Sequence, residues 1–268
     1  LVVHGPVDPG VCAMNPEPRT ILITGAGTGI GRDAALALAA RGHRVLATTL
    51  DDDQAEALQR EAQSRNLVLR AFRMDITSPA DRAQVLAHEV DVLINNAAIG
   101  ESGSLAEVPM DRVRRSFEVN LFSTLELTQL ALRGMIARQR GTVLFVSSIA
   151  GRLPIPFLAP YGMTKFALSA AGAALRAEMD RLGCKVQVAL IEPGAIHTGF
   201  NQAMTGAKFG WMAQGSYFQS MSHALAAEDR RGFKLLEARS TAGIVRCIVR
   251  AAEATRPRLR YVSPWIQG

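Results

Sequence analysis

Cysteine is sparse in this 268-residue chain: Cys12, Cys184 and Cys247 are odd in number and lack the paired spacing of a metal site. Reduced thiols in a cytoplasmic protein are the expectation, and no metal is implied. No apolar run reaches the ~18 residues of a membrane span, so none is expected. The first 17 residues are rich in proline and glycine and lack the charged start and apolar core of a secretory signal. They read as a flexible arm, and residues 18–268 as a single domain. The net charge of +6 is spread over scattered arginines without an aromatic-and-basic stripe. That pattern speaks for solvated surface and against nucleic acid. The densest cluster, Arg256 to Arg260, leads into an expected terminal strand.

Lysine and tyrosine are rarer than their roles elsewhere would suggest. Lysine occurs only at positions 165, 185, 208 and 234, and tyrosine only at 161, 217 and 261. Yet Tyr161 and Lys165 fall four apart in a stretch that reads as a helix, which puts phenol and ammonium on one face. A free phenol titrates near pH ~10 and is a poor acid/base at neutrality. An ammonium alongside would favour the phenolate and bring the group into range. Ser148 stands 13 residues upstream.

What the chain has in abundance is apolar residues, at 48%, and glycine where it counts. An apolar run, Ile21 to Ile23, leads into Thr24-Gly25-Ala26-Gly27-Thr28-Gly29-Ile30-Gly31, then an Ala/Leu helix, then a second run from Val45 to Leu50. This is strand, glycine turn, helix, strand, the βαβ unit that cradles a pyrophosphate on a helix N-terminus. Further strand-like runs are Leu67–Met74, Asp91–Asn95, Thr142–Ser147 and Lys185–Ile191, with helical patterns over Asp111–Arg138 and Tyr161–Leu182. The alternation predicts an α/β fold: a doubly wound parallel sheet of Rossmann type with helices on both faces. Gly25 to Gly31, Asp75, Asn95-Asn96-Ala97, Ser148 and Pro193-Gly194 each follow a predicted strand, so they converge on one sheet edge.

With those residues in order, the chain from Arg19 to Tyr261 resembles the short-chain dehydrogenases/reductases of the single-domain branch. The resemblance rests on the glycine turn, Asp75, Asn95-Asn96-Ala97, Asn120, Ser148, Tyr161/Lys165 and Pro193-Gly194 through Thr198. It implies an acid/base role for Tyr161, carbonyl orientation by Ser148, and a Lys165 that lowers the phenol pKa and holds the nicotinamide ribose. It also implies a water anchored by Asn120, at the start of an Asn120–Arg138 helix, and an adenine contact at Asp75. Asn95 would support the sheet beside the cofactor, with Ala97 lining it. The Pro193–Thr198 segment, Gly194 and Ile196 included, would cover the nicotinamide. One departure is Ala98, where the family carries glycine after Asn-Asn-Ala. From the residues alone, Ser147 in place of Ser148 could face the site, Asn120 could be a helix N-cap, and His197 reads as a solvated loop histidine.

The cofactor is NAD or NADP. The spacing of ~20 residues after the glycine turn lands on Asp51, whereas the family register puts the deciding residue at Thr49. Thr48 to Leu58 holds no Lys or Arg, and Asp51-Asp52-Asp53 would repel a phosphate, so NAD is the expectation. From about 195 to 238 the chain scatters Phe200, Met204, Phe209, Trp211, Met212, Tyr217, Phe218 and Met221, as a substrate lid would. The wording resembles steroid- and retinol-type members, and the expected substrate is an apolar alcohol or ketone. A 3-oxoacyl-type reductase and a catalytically silent nucleotide-sensing scaffold are the alternatives. A homodimer or homotetramer is expected through the two long helices.

Overall fold

A computed structural model describes residues 17–212 and 215–264. Residues 1–16 of the expected arm, and Trp265, lie outside them. The described residues form a seven-stranded sheet in the order β3-β2-β1-β4-β5-β6-β7, parallel throughout. The strands are β1 (Thr20–Ile23), β2 (Arg44–Thr49), β3 (Leu69–Arg73), β4 (Val92–Asn95), β5 (Arg140–Val146), β6 (Lys185–Pro193) and β7 (Arg260–Ser263). Between them run α1 (Gly29–Ala40), α2 (Asp52–Ser64), α3 (Pro79–Ala83), α4 (Met110–Phe117), α5 (Ser123–Ala137) and α6 (Ala159–Leu182). After β6 come α7 (Phe200–Trp211), α8 (Ser222–Leu236) and α9 (Ala242–Glu253). Among the described residues, no helix is long and apolar enough to cross a membrane.

The inner strands β1, β4, β5 and β6 read as near-continuous apolar runs because both sheet faces are covered there. Successive side chains point to opposite faces. Ile21, Ile23, Ile94 and Leu144 pack with Leu38 of α1 and Ile244 and Ile248 of α9. Leu22, Leu93, Val143 and Phe145 pack on the other side with Leu127 and Met135 of α5 and Leu168 of α6. The chain winds outward from β1 to β3, then returns to lay β4 beside β1. That reversal opens a crevice at the carboxyl ends of β1 and β4, where α/β folds bind ligands.

The expected Asp111–Arg138 helix is real but interrupted. A π-helical turn, Glu118–Phe122, joins α4 to α5. Asn120 therefore sits within a continuous helical run, which corrects both the helix start and the N-cap reading placed there.

Candidate active site

The glycine turn is fixed by backbone groups. Gly25 and Gly29 adopt left-handed φ of 64° and 55°, a conformation that penalises any side chain. A β-carbon on Gly31 would fall 2.3 Å from the Gly25 carbonyl oxygen and 2.4 Å from Asn96 Nδ2. Asn96 Nδ2 donates to the carbonyls of Thr24 and Gly25, both at 2.9 Å. In return, the Thr24 hydroxyl accepts from the amides of Asn96 (3.1 Å) and Ala97 (3.0 Å). Thr24 and Asn96 thus lock the loop after β1 to the loop after β4. No side chain caps α1 and no acid occupies its first turn. Its N-terminal amides face the cleft unpaired by side chains, which fits a dinucleotide pyrophosphate.

The chemistry sits further along the same edge. Tyr161 and Lys165, on consecutive turns of α6, are 7% and 3% exposed. Lys165 Nζ donates to the Val146 carbonyl at 2.8 Å and lies 5.6 Å from the Tyr161 ring centroid. Ser148 follows β5 in extended conformation and hydrogen-bonds the phenol. Ser147 turns the other way, donating to the Lys165 carbonyl at 3.1 Å and meeting the Ser169 hydroxyl at 2.7 Å. Of the two serines, only Ser148 reaches the phenol. Burial raises the phenol above its ordinary value, with Ser148 pulling it partly back. Burial likewise lowers Lys165 to about 7. The expectation that the lysine depresses the phenol is therefore corrected for this state: away from water, each group favours its neutral form.

A single cleft of about 1200 Å³ joins these parts. It is lined by Gly25, Gly27, Thr28, Gly29, Ile30, Gly31, Thr49, Asp75, Ala97, Ser148, Tyr161, Lys165, Pro193, Gly194, Ile196 and Thr198. Ala98 lines it too and needs no left-handed backbone, so the departure from glycine costs nothing. The Asp75 carboxylate accepts from the Thr77 hydroxyl (2.7 Å) and amide (2.9 Å), which hold it below the usual carboxylate range.

Three expected residues stand outside the cleft wall. Asn95 is buried behind it and donates to the Thr128 hydroxyl at 2.9 Å. Asn120 Oδ1 accepts from the Ile99 amide at 2.8 Å, while Nδ2 donates to the Ile99 carbonyl (2.9 Å) and the Thr164 hydroxyl (3.1 Å). It ties the loop after β4 to α6. Asp51 caps α2, its carboxylate accepting from the Gln54 amide at 2.8 Å. His197, 64% exposed, pairs with Glu237 at 2.9 Å rather than with the site.

Part of the segment between β6 and α9, Phe200 and Met204 among it, lines the other end of the cleft. The neck of that segment is a parallel bridge, Ile196 to Ala238. Phe200 packs 5.7 Å from the Tyr161 ring. The Phe218 ring meets Phe157 edge-on at 5.0 Å, and Lys208 Nζ lies 5.6 Å from the centre of the same Phe157 ring. Ser216 and the Tyr217 amide donate to Glu107 at 2.5 and 3.0 Å. The side chains of Phe209 and Trp211 lie outside the description. Sequence reasoning had no signal for Lys208 or Gln54 as cleft residues, because neither lies in a strand-end motif.

A profile of short chain dehydrogenases matches residues 19–208. The chain belongs to the short-chain dehydrogenase/reductase family. Mouse dehydrogenase/reductase SDR family member 7B is 33% identical over 222 residues, covering 78% of this chain and 68% of that protein. Rat estradiol 17-beta-dehydrogenase 1 is 31% identical over 259 residues, covering 92% and 74%. Human retinol dehydrogenase 8 is 32% identical over 194 residues, covering 70% and 62%. A solved putative NAD(P)-dependent gluconate 5-dehydrogenase from Beutenbergia cavernae, with bound NADP, superposes with a TM-score of 0.75 at 25% identity, covering 92% and 95%. The protein is an NAD(P)-dependent oxidoreductase of this family.

Proposed function

We propose that the protein interconverts a secondary alcohol and a ketone, or a primary alcohol and an aldehyde, on an apolar skeleton, with Tyr161 as acid/base. The observation that carries this is the buried phenol of Tyr161, hydrogen-bonded to Ser148 and one helical turn from Lys165, in the cleft that also holds the glycine turn. The nicotinamide, when bound, supplies or accepts the hydride. In reduction, Tyr161 gives its proton to the substrate oxygen as negative charge develops there. Burial keeps that proton on the phenol at neutral pH. Ser148 donates a hydrogen bond to the same oxygen, a contact that strengthens with its charge. Lys165 titrates near neutrality, so a modest gain of negative charge around it suffices to protonate it. It then holds ribose hydroxyls. The Asn120 side chain ties the Ile99 backbone to Thr164 of α6, and one lone pair left on its Oδ1 is open to the relay water assigned to it.

Segment 195–238 acts as a lid in this reading. Phe200, Met204 and Phe157 line the cleft there, and they favour an apolar substrate of some size. The Asp51–Asp53 run beside β2 disfavours a phosphate at longer range, which supports NAD. A cytoplasmic homodimer or homotetramer through α5 and α6 completes the proposal. Phe122, at the end of the π turn that leads into α5, and Phe166 on α6 are 50% and 41% exposed, and light scattering at micromolar concentration checks the mass. The function itself is tested by nicotinamide absorbance on a panel of alcohols, ketones, aldehydes and 3-oxoacyl thioesters with both cofactors. Turnover of apolar alcohols or ketones is the expected result. Turnover confined to 3-oxoacyl substrates, or tight cofactor binding with no turnover, overturns it.

A further inference from the structure

Asp51 and Gln54 have the spacing of a capping box, in which the residue at the third helical position reaches back to the cap amide. Only half of that box forms. The Asp51 carboxylate accepts from the Gln54 amide at 2.8 Å. The Gln54 carboxamide makes no hydrogen bond to Asp51, nor to any other described residue. It turns instead into the cleft and packs on the glycine turn, so that a β-carbon on Gly27 would fall 1.8 Å from Gln54 Oε1 and 2.7 Å from Cδ. A polar side chain has thus left its helix cap to stand between the pyrophosphate turn and the end of β2.

In βαβ dinucleotide folds that position is where the adenosine ribose presents its 2′ oxygen. The other cleft residues at the end of β2 are uncharged: Thr48, Thr49 and Leu50. Thr49 spends its hydroxyl proton on the Asp51 carbonyl at 2.7 Å. The Asp51 carboxylate, the residue that spacing alone selects, faces its own helix. We propose that Gln54, not Asp51, makes the direct contact with the ribose 2′ position and sets the choice between NAD and NADP. This rests on the NAD(P)-dependent reading of the site.

A carboxamide both donates and accepts. It bonds a 2′-hydroxyl without a charge to repel a 2′-phosphate, so the wild type takes both cofactors with a preference of about tenfold or less. The test is calorimetric binding of 5′-ADP and adenosine 2′,5′-bisphosphate to the full chain, which requires no turnover. Gln54→Glu places an acid in the first turn of α2, where it favours the helix, so the variant folds. It should weaken the 2′,5′-bisphosphate about five- to tenfold relative to ADP, the effect of one screened like-charge contact. Gln54→Lys should shift the ratio by a similar factor the other way. Asp51→Asn keeps a good cap while deleting the charge, and should leave the ratio within about twofold, since a carboxylate turned from the cleft acts only through screened solvent. A ratio unmoved by both Gln54 variants, or moved more by Asp51→Asn than by Gln54→Glu, overturns the proposal. Wild-type protein that binds neither nucleotide would instead refute the nucleotide-binding reading, and this inference with it.

Discussion

The two ends of the cleft are held together by different means. At the nucleotide end, loops after β1 and β4 are joined through backbone atoms and two short side chains, Thr24 and Asn96. At the substrate end, the segment between β6 and α9 rests on side-chain contacts: the rings of Phe200 on Tyr161 and Phe218 on Phe157, and the Ser216 hydroxyl on Glu107. A backbone-built site binds the invariant part of its ligand and tolerates almost no substitution, whereas a side-chain-built site is retuned by single changes. Tyr161 and Lys165 stand at the seam and serve both halves.

The sharpest test of that seam is Tyr161→Phe. The ring and its contact with Phe200 remain, but the proton is gone, so kcat should fall about 10²–10⁴-fold while dinucleotide affinity stays within about threefold. Stopped assays alongside calorimetry separate the two quantities. Retention of more than about a tenth of the wild-type rate would remove Tyr161 from its role.

Next in size is Gly31→Ala. The added methyl meets a backbone oxygen at 2.3 Å, which cannot rotate away. Overpacking of this kind costs roughly 1–3 kcal/mol. Dinucleotide affinity should drop more than about tenfold and Tm should fall with it. Wild-type affinity in this variant would mean that the nucleotide end is softer than its hydrogen bonds imply.

Lys165→Met sharpens the comparison through pH. The folded-state value of about 7 lies below the ordinary 10.5. Between those limits the unfolded chain binds more protons than the folded one, so the lysine makes stability rise with pH across that window. Replacement by Met should flatten the rise in Tm between pH 7 and 10 measured without cofactor, and it should weaken cofactor binding. Parallel wild-type and variant profiles would show that burial at this position is not as complete as its 3% exposure indicates.

The smallest effect is expected at the substrate end. Phe218→Ala removes an edge-to-face pair worth about 0.5–1.5 kcal/mol. KM for an apolar substrate should rise up to about tenfold, with dinucleotide affinity unchanged. A variant that loses dinucleotide affinity instead would join the two ends into one unit and dissolve the distinction.

Much of this molecule was legible in the chain itself. The near-continuous apolar inner strands, the glycine turn before a helix and the Tyr161/Lys165 spacing are local signals, each carried by residues near in sequence. They were enough to assign the doubly wound sheet and the strand-end part of the cleft lining. Ser148 was distinguishable from Ser147 only by its distance to Tyr161, and the side-chain directions agree. Spacing did not reach the directions in which the Asp51 and Asn120 side chains turn. Asp51 lies at the expected distance from the glycine turn, yet its carboxylate serves the helix it begins. Asn120 carries no sequence mark of the π turn that aims it at Ile99 and Thr164.

Periodicity and spacing thus determined the fold, the switch point and the placing of Tyr161 and Lys165 on one helix face, because hydrophobic alternation and helical rise act over a few neighbouring residues. Tertiary structure alone decided how deeply that pair is buried and which side chain at the end of β2 turns into the cleft. Desolvation depends on every atom packed around a group. The free amide of Gln54 exists only because Gly27, 27 positions earlier, leaves the space that a side chain would fill.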